Sequence, residues 1–121
     1  MGTRSEHISG AVADATIRRG RKEAVLYLAG NVADNFALSA DMPPVIVLGA
    51  SAARDILMPA NAAANDGLCM TIISNSSTTT GVLTLKTSAD AALSPAVTIA
   101  QNLSVEMIYI AGIPGWRKKA Q

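Results

Sequence analysis

Aromatic side chains are scarce in this sequence, with one tryptophan, one phenylalanine and two tyrosines making up 3% of 121 residues. Half of the residues are nevertheless hydrophobic, so Ala, Val, Ile and Leu carry the apolar content, and such residues pack pleated, half-buried surfaces well. There is one cysteine, Cys69, which excludes an intrachain disulfide and leaves packing to hold the fold. There is one histidine, His7, in a stretch with no sustained period, badly placed for a triad that needs its imidazole held against a nucleophile and an acid. One Cys and one His show no zinc-ligand spacing. Charge of one sign is also lacking: ten basic against nine acidic residues give a net charge of +1, which removes a global electrostatic case for nucleic acid or an anionic membrane. No apolar run approaches the roughly 20 residues that span a bilayer. The opening Met1-Gly2-Thr3-Arg4-Ser5-Glu6 leads into no hydrophobic signal region, and Glu6 stands where a myristoylation signal requires Ser or Thr. These absences predict a soluble, non-enzymatic protein made in the cytoplasm, without a cofactor or a metal.

What is present is strand grammar. From Ala24 onward short apolar runs alternate with turn residues, the pattern of an all-β domain. Expected strands are Ala24 to Ala29, Phe36 to Ala40, Val45 to Gly49, Asp55 to Met58, Leu68 to Ser74, Val82 to Thr87, Ala96 to Ala100 and Ser104 to Ile110. About eight short strands predict a compact β-sandwich or barrel. The domain reading is an extended N-terminal arm over residues 1–23, a β domain over 24–117 and a basic tail over 118–121. The alanine-rich stretch from Ala60 to Gly67 reads as a short helix or as the turn into the next strand. No internal repeat is evident.

Period-two alternation places Leu83 and Leu85 on one face and Thr84 and Lys86 on the other, and sets Val97 and Ile99 against Thr98. Two strands break the pattern: Leu68 to Ser74 and Ser104 to Ile110 are apolar on both faces, and both faces want cover. That cover comes either from central placement in the domain or from a neighbouring subunit.

Chemistry-bearing residues form no constellation. Cys69 lies inside an apolar strand, where a thiol behaves as a small hydrophobe. The acids Asp14, Glu23, Asp34, Asp41, Asp55, Asp66, Asp90 and Glu106 are scattered, and no glycine-rich phosphate loop occurs. The basic cluster Arg18, Arg19, Arg21 and Lys22 lacks interleaved aromatics for base stacking, so it reads first as a contact for an acidic protein surface, then as a solvated linker, and last as a contact for nucleic-acid phosphates. Arg117, Lys118 and Lys119 read as a solvated tail. Two glycosylation acceptor patterns, at Asn75 and Asn102, matter only on a secretory route.

From Met42 to Arg117 the order of features becomes more specific. Pro44-Val45-Ile46-Val47-Leu48 is followed by Arg54-Asp55-Ile56-Leu57-Met58-Pro59-Ala60, Gly67-Leu68, Thr71-Ile72-Ile73-Ser74-Asn75 and Ile113-Pro114-Gly115-Trp116. This order resembles a module of tailed-bacteriophage virion proteins, found in capsid decoration (cement) proteins and in head or tail fibres; Met58 replaces the usual Leu. The resemblance implies a structural protein on the virion surface, the capsid exterior, whose partners are the major capsid protein and further copies of itself, a homotrimer, with no nucleic acid and no membrane. It implies capsid docking through Arg18, Arg19, Arg21 and Lys22 with Val25, Tyr27 and Leu28 adding an edge strand, and an oligomer contact through Ile108, Ile110 and Trp116. The alternative it implies is a head- or tail-fibre-type module that binds a receptor or glycan. It carries no catalytic residues.

Overall fold

The structure, a computed structural model, describes residues 22–28 and 31–119. Nine strands follow in order: β1 Val25–Tyr27, β2 Phe36–Ala37, β3 Val45–Leu48, β4 Arg54–Leu57, β5 Cys69–Ser74, β6 Leu83–Lys86, β7 Ala92–Ile99, β8 Ser104–Ile110 and β9 Gly115–Lys118. They build a five-stranded sheet, β1-β3-β5-β8-β9, and a four-stranded sheet, β2-β4-β6-β7. The fold is all-β, as the strand texture predicts.

The first six strands alternate between the sheets, and within each sheet they pair in parallel. The chain therefore climbs in rungs, each crossing from the larger sheet to the smaller. Val25 lies beside Val45, and Phe36 beside Ile56, so the first two rungs are 20 residues apart in both sheets. The third rung is longer. Val45 pairs with Thr71 and Ile56 with Leu85, steps of 26 and 29 residues, with the added chain in the connections on either side of β5. This is the internal repeat that sequence reading misses. What recurs is apolar character at inward positions, Leu26 with Ile46, Leu28 with Leu48 and Leu38 with Met58, and two such runs with unlike identities look like ordinary strand texture.

Where the chain turns from one sheet to the other, polar groups stitch one rung to the next. The Ser51 N–H donates to Asn31 Oδ1 at 3.2 Å, the Asp55 N–H to Asp34 Oδ1 at 2.7 Å, and Arg54 Nε to the Val32 carbonyl at 3.0 Å. Each bond pairs a corner backbone group that the strand ladders leave out.

After β6 the direction reverses. β7 runs antiparallel to β6, β8 to β5 and β9 to β8, which extends both sheets at the end opposite β1 and β2, with β7 near β9. β7 begins at Ala92 and passes through Pro95, a segment the sequence predicts as connection. It is an edge strand, where a residue without an N–H is tolerated. β9 is a further strand that sequence reading assigns partly to a tail. The alanine-rich stretch forms one 3-10 turn, Ala63–Asn65, ended by Gly67 at φ +82°, the left-handed region that favours glycine.

The core lies between the sheets. Ile46, Leu48, Met70, Ile72, Met107, Tyr109 and Trp116 from the larger sheet meet Ile56, Leu83, Leu85, Val97 and Ile99 from the smaller, all buried. Each fully buried aliphatic side chain contributes about 1.5–3 kcal/mol of transfer free energy. The alternation expected at Leu83 and Leu85, and at Val97 and Ile99, holds.

Lys86 sits between two carboxylates, its Nζ 3.2 Å from Asp55 Oδ2 and 3.7 Å from Asp90 Oδ1. The hydrogen bond to Asp55, then the Asp55 charge, hold its pKa above the ordinary 10.5; Asp90 and Asp34 add to this and burial opposes it. A raised lysine stabilises the fold fully below its unfolded pKa and loses that contribution as pH rises through the folded one. Denaturant titrations above pH 10.5 are therefore expected to show a stability loss that is smaller in a Lys86→Met variant. Equal losses in the two proteins would exclude this pair as the cause.

Candidate interaction face

Strand alternation gives the larger sheet an outer face as well as a core face. Leu26 and Leu28 turn inward with Ile46, Leu48 and Ile72; Val25 and Tyr27 turn outward. Across the outer face, one row runs Tyr27–Val47–Ile73–Ser104 and the next Val25–Val45–Thr71–Glu106. A third joins Cys69, Ile108 and Arg117. The face is thus apolar across β1, β3 and β5, and becomes charged toward β8 and β9, where Lys119 Nζ lies 3.7 Å from Glu106 Oε1. Tyr27 is 75% exposed and Val25 40%. Val47 is buried yet stands apart from the cluster that fills the core between the sheets.

This explains the two strands expected to be apolar on both sides. β5 and β8 give Met70, Ile72, Val105, Met107 and Tyr109 to the core, while Ile73, Ile108 and Ile110 lie half-buried on the opposite side. The smaller sheet covers only one of the two apolar faces.

Beside this face, at the end formed by Ala24, Pro44 and Thr71, lies an open cleft of about 430 Å³ that is also lined by Lys22, Glu23, Cys69, Glu106 and Lys119. Glu106 is paired with Lys119, and Cys69 Sγ donates to the Gly67 carbonyl at 3.5 Å. Among the described residues that line the cleft there is no imidazole. Among the described residues no group of three His, Cys, Asp or Glu side chains is placed to hold a metal ion, and no helix is long and apolar enough to cross a membrane.

The residues expected to dock or to oligomerise are distributed unevenly. Arg18, Arg19 and Arg21, with most of the expected arm, lie outside the described residues. Lys22 is exposed at the cleft, Val25 and Tyr27 are on the outer face, and Leu28 packs against the core. Ile108 and Ile110 share the outer face. Trp116 is a correction. It is 1% exposed, its ring packs on Tyr109 at a centroid distance of 5.6 Å, and its Nε1 donates to the buried Pro59 carbonyl at 3.0 Å, so it holds the core together and presents nothing to a neighbour. Sequence reading missed Val45, Val47 and Ile73, which continue the face. Their signal was the outward phase of strands already marked by apolar runs.

No described strand pairs with the far side of β1 or of β2. The Leu28 N–H donates to the Val47 carbonyl at 3.0 Å, and the alternation of a parallel ladder then directs the N–H and C=O groups of Val25 and Tyr27 away from β3.

Comparison with protein-family models finds no match, and none of the curated proteins matches either. Among solved structures, one described as the structure of a chaperone–substrate complex is similar over 78% of this chain, at a TM-score of 0.50 and 16% sequence identity. This chain spans 15% of that chain's length, and the likeness is one of fold.

Proposed function

We propose that this protein is a structural subunit of a tailed-phage-type virion that binds the outside of the expanded capsid and stabilises the shell by contacts between subunits. The observation that carries the reading is the second apolar face of the larger sheet, from Tyr27 and Val25 through Val47 to Ile73 and Ile108, which the domain's own smaller sheet leaves uncovered. Apolar area removed from water contributes about 25 cal/mol per Å² as an upper guide, and a scaffold with no assembled catalytic group among its described residues can act by that burial alone. In this reading copies of the chain meet through the outer face, as a trimer where the resemblance to decoration proteins applies, and the basic cluster Arg18, Arg19, Arg21 and Lys22 meets acidic groups of the major capsid protein.

A fibre-type module that binds a receptor or glycan is the second reading, and the stacked rungs favour it, because quasi-repetitive stacking suits elongated shafts. Its weakness is the aromatic supply for sugar stacking: Tyr109 and Trp116 are buried and Phe36 half-buried, which leaves Tyr27 alone exposed.

Mixing the purified chain with expanded, undecorated shells and sedimenting them tests the proposal. Saturable co-sedimentation that weakens with salt and on replacing Arg18, Arg19, Arg21 and Lys22 by Ala is the expected result. A chain that stays in the supernatant at every concentration, while its circular dichroism remains that of a folded β protein, would refute it.

A further inference from the structure

The rung step of 20 residues can be carried back beyond β1, into residues for which only the sequence speaks. There, Gly10-Ala11-Val12-Ala13-Asp14 stands 20 positions before Gly30-Asn31-Val32-Ala33-Asp34, matching in four of five residues. Ile8 likewise stands 20 before Leu28. The repeated residues have defined tasks in the described rung. Val32 is buried at 5% exposure, and Asp34 Oδ1 accepts the N–H of Asp55, the residue one rung on from Asn35, at 2.7 Å. Beside this motif, β1 and β2 are the terminal described strands at the same end of the stack, and apolar edges of this kind require a cap.

We propose that the open edge of β1 and β2 is the docking site for the chain's own residues 5–17, which add a capping rung in parallel. Val12 stacks on Val32, and the Asp14 carboxylate accepts the Asn35 N–H as Asp34 accepts that of Asp55. The departures fit an end rung. Glu6 and Thr16 stand where the next rung has the inward Leu26 and Phe36, and terminal repeats characteristically carry polar residues on the side that faces water. Arg18, where the next rung has the buried Leu38, ends the match. The basic cluster Arg18, Arg19, Arg21 and Lys22 then falls in the connection leading into β1, displayed beside the cleft instead of on an extended arm. This inference does not depend on what the protein binds.

Nuclear magnetic resonance on the full chain at low concentration tests it. Contacts between the Val12 and Val32 methyl groups are expected within a single molecule. Asp14→Ala is expected to speed exchange of the Asn35 amide by about tenfold, the loss of one hydrogen bond, while Asp14→Asn, which keeps an acceptor oxygen, retains most of the protection and the Ile72 amide is unchanged in both. Absence of the Val12–Val32 contact overturns the proposal. So does a contact seen only between labelled and unlabelled molecules, which would place a second copy on the edge, or an Asn35 amide indifferent to Asp14→Ala.

Discussion

Trp116→Ala is expected to lower the free energy of unfolding by about 3–5 kcal/mol, the range for removing a large aromatic ring from a packed core. Three losses coincide at this position. The ring is 1% exposed and leaves a cavity between the sheets; Tyr109 loses its packing partner 5.6 Å away; and the buried Pro59 carbonyl loses its 3.0 Å donor. β9 is the edge strand that carries Trp116, and its attachment to the core depends on that side chain. Trp116→Phe separates the contributions, because it restores most of the volume and leaves the Pro59 carbonyl unpaired, a change worth about 1–3 kcal/mol. Equilibrium urea unfolding followed by far-ultraviolet circular dichroism reads both, since the substitution removes the chain's one indole fluorophore. A cost below about 1 kcal/mol for Trp116→Ala, the range of exposed sites, would mean that Trp116 lies at a surface after all.

The second large effect is expected at Gly81. A Cβ built there meets the Ala50 carbonyl oxygen at less than contact distance and lies 2.8 Å from Ser76 Cβ. Neither neighbour can withdraw cheaply. Ala50 is backbone of a rung corner and is itself fully buried, and Ser76 is fixed by its hydroxyl, which donates to the Gly81 carbonyl at 2.7 Å and lies 2.9 Å from Ser74 Oγ. Gly81→Ala must therefore part the second and third rungs or break the Ser74–Ser76–Gly81 chain, at about 3 kcal/mol, the upper part of the range for overpacking. Gly112→Ala is the matched control, with nothing within 4 Å of the new methyl group. Thermal unfolding of the two variants beside wild type gives the comparison. Equal melting temperatures for Gly81→Ala and Gly112→Ala would show that the corner is loose.

How much of this was legible beforehand differs by feature. Ser104 to Ile110 was readable to the residue, and Leu83, Leu85, Val97 and Ile99 were readable as inward-facing, because period-two alternation maps directly onto one buried face. The apolar character of both sides of β5 and β8 was readable too, and it marked the outer face. The parallel rung order was not. It arises from pairings such as Val25 with Val45 and Ile46 with Ile72, and nothing local to a strand states which distant strand it joins. Trp116 was misassigned because a lone aromatic near a chain end carries no phase; only the Pro59 carbonyl and Tyr109, far away in sequence, place it inside. The corner bonds of Asn31 and Asp34 were invisible for a related reason. Each residue reads alone as a turn former, and its role appears only when the rung 20 residues on lies beside it.

The claim that the outer face of the larger sheet is a contact between subunits is open to one direct measurement, light scattering of the purified chain over a range of concentrations, beside a Tyr27→Asp variant. Tyr27 is 75% exposed, so its replacement is expected to change unfolding by about 0.5 kcal/mol or less while placing a charge at the exposed end of the apolar row. A wild-type mass above that of one 12.4 kDa chain, falling to the monomer in the equally stable variant, is the predicted result; a wild type that remains monomeric at every concentration, or a variant that assembles as the wild type does, would contradict it.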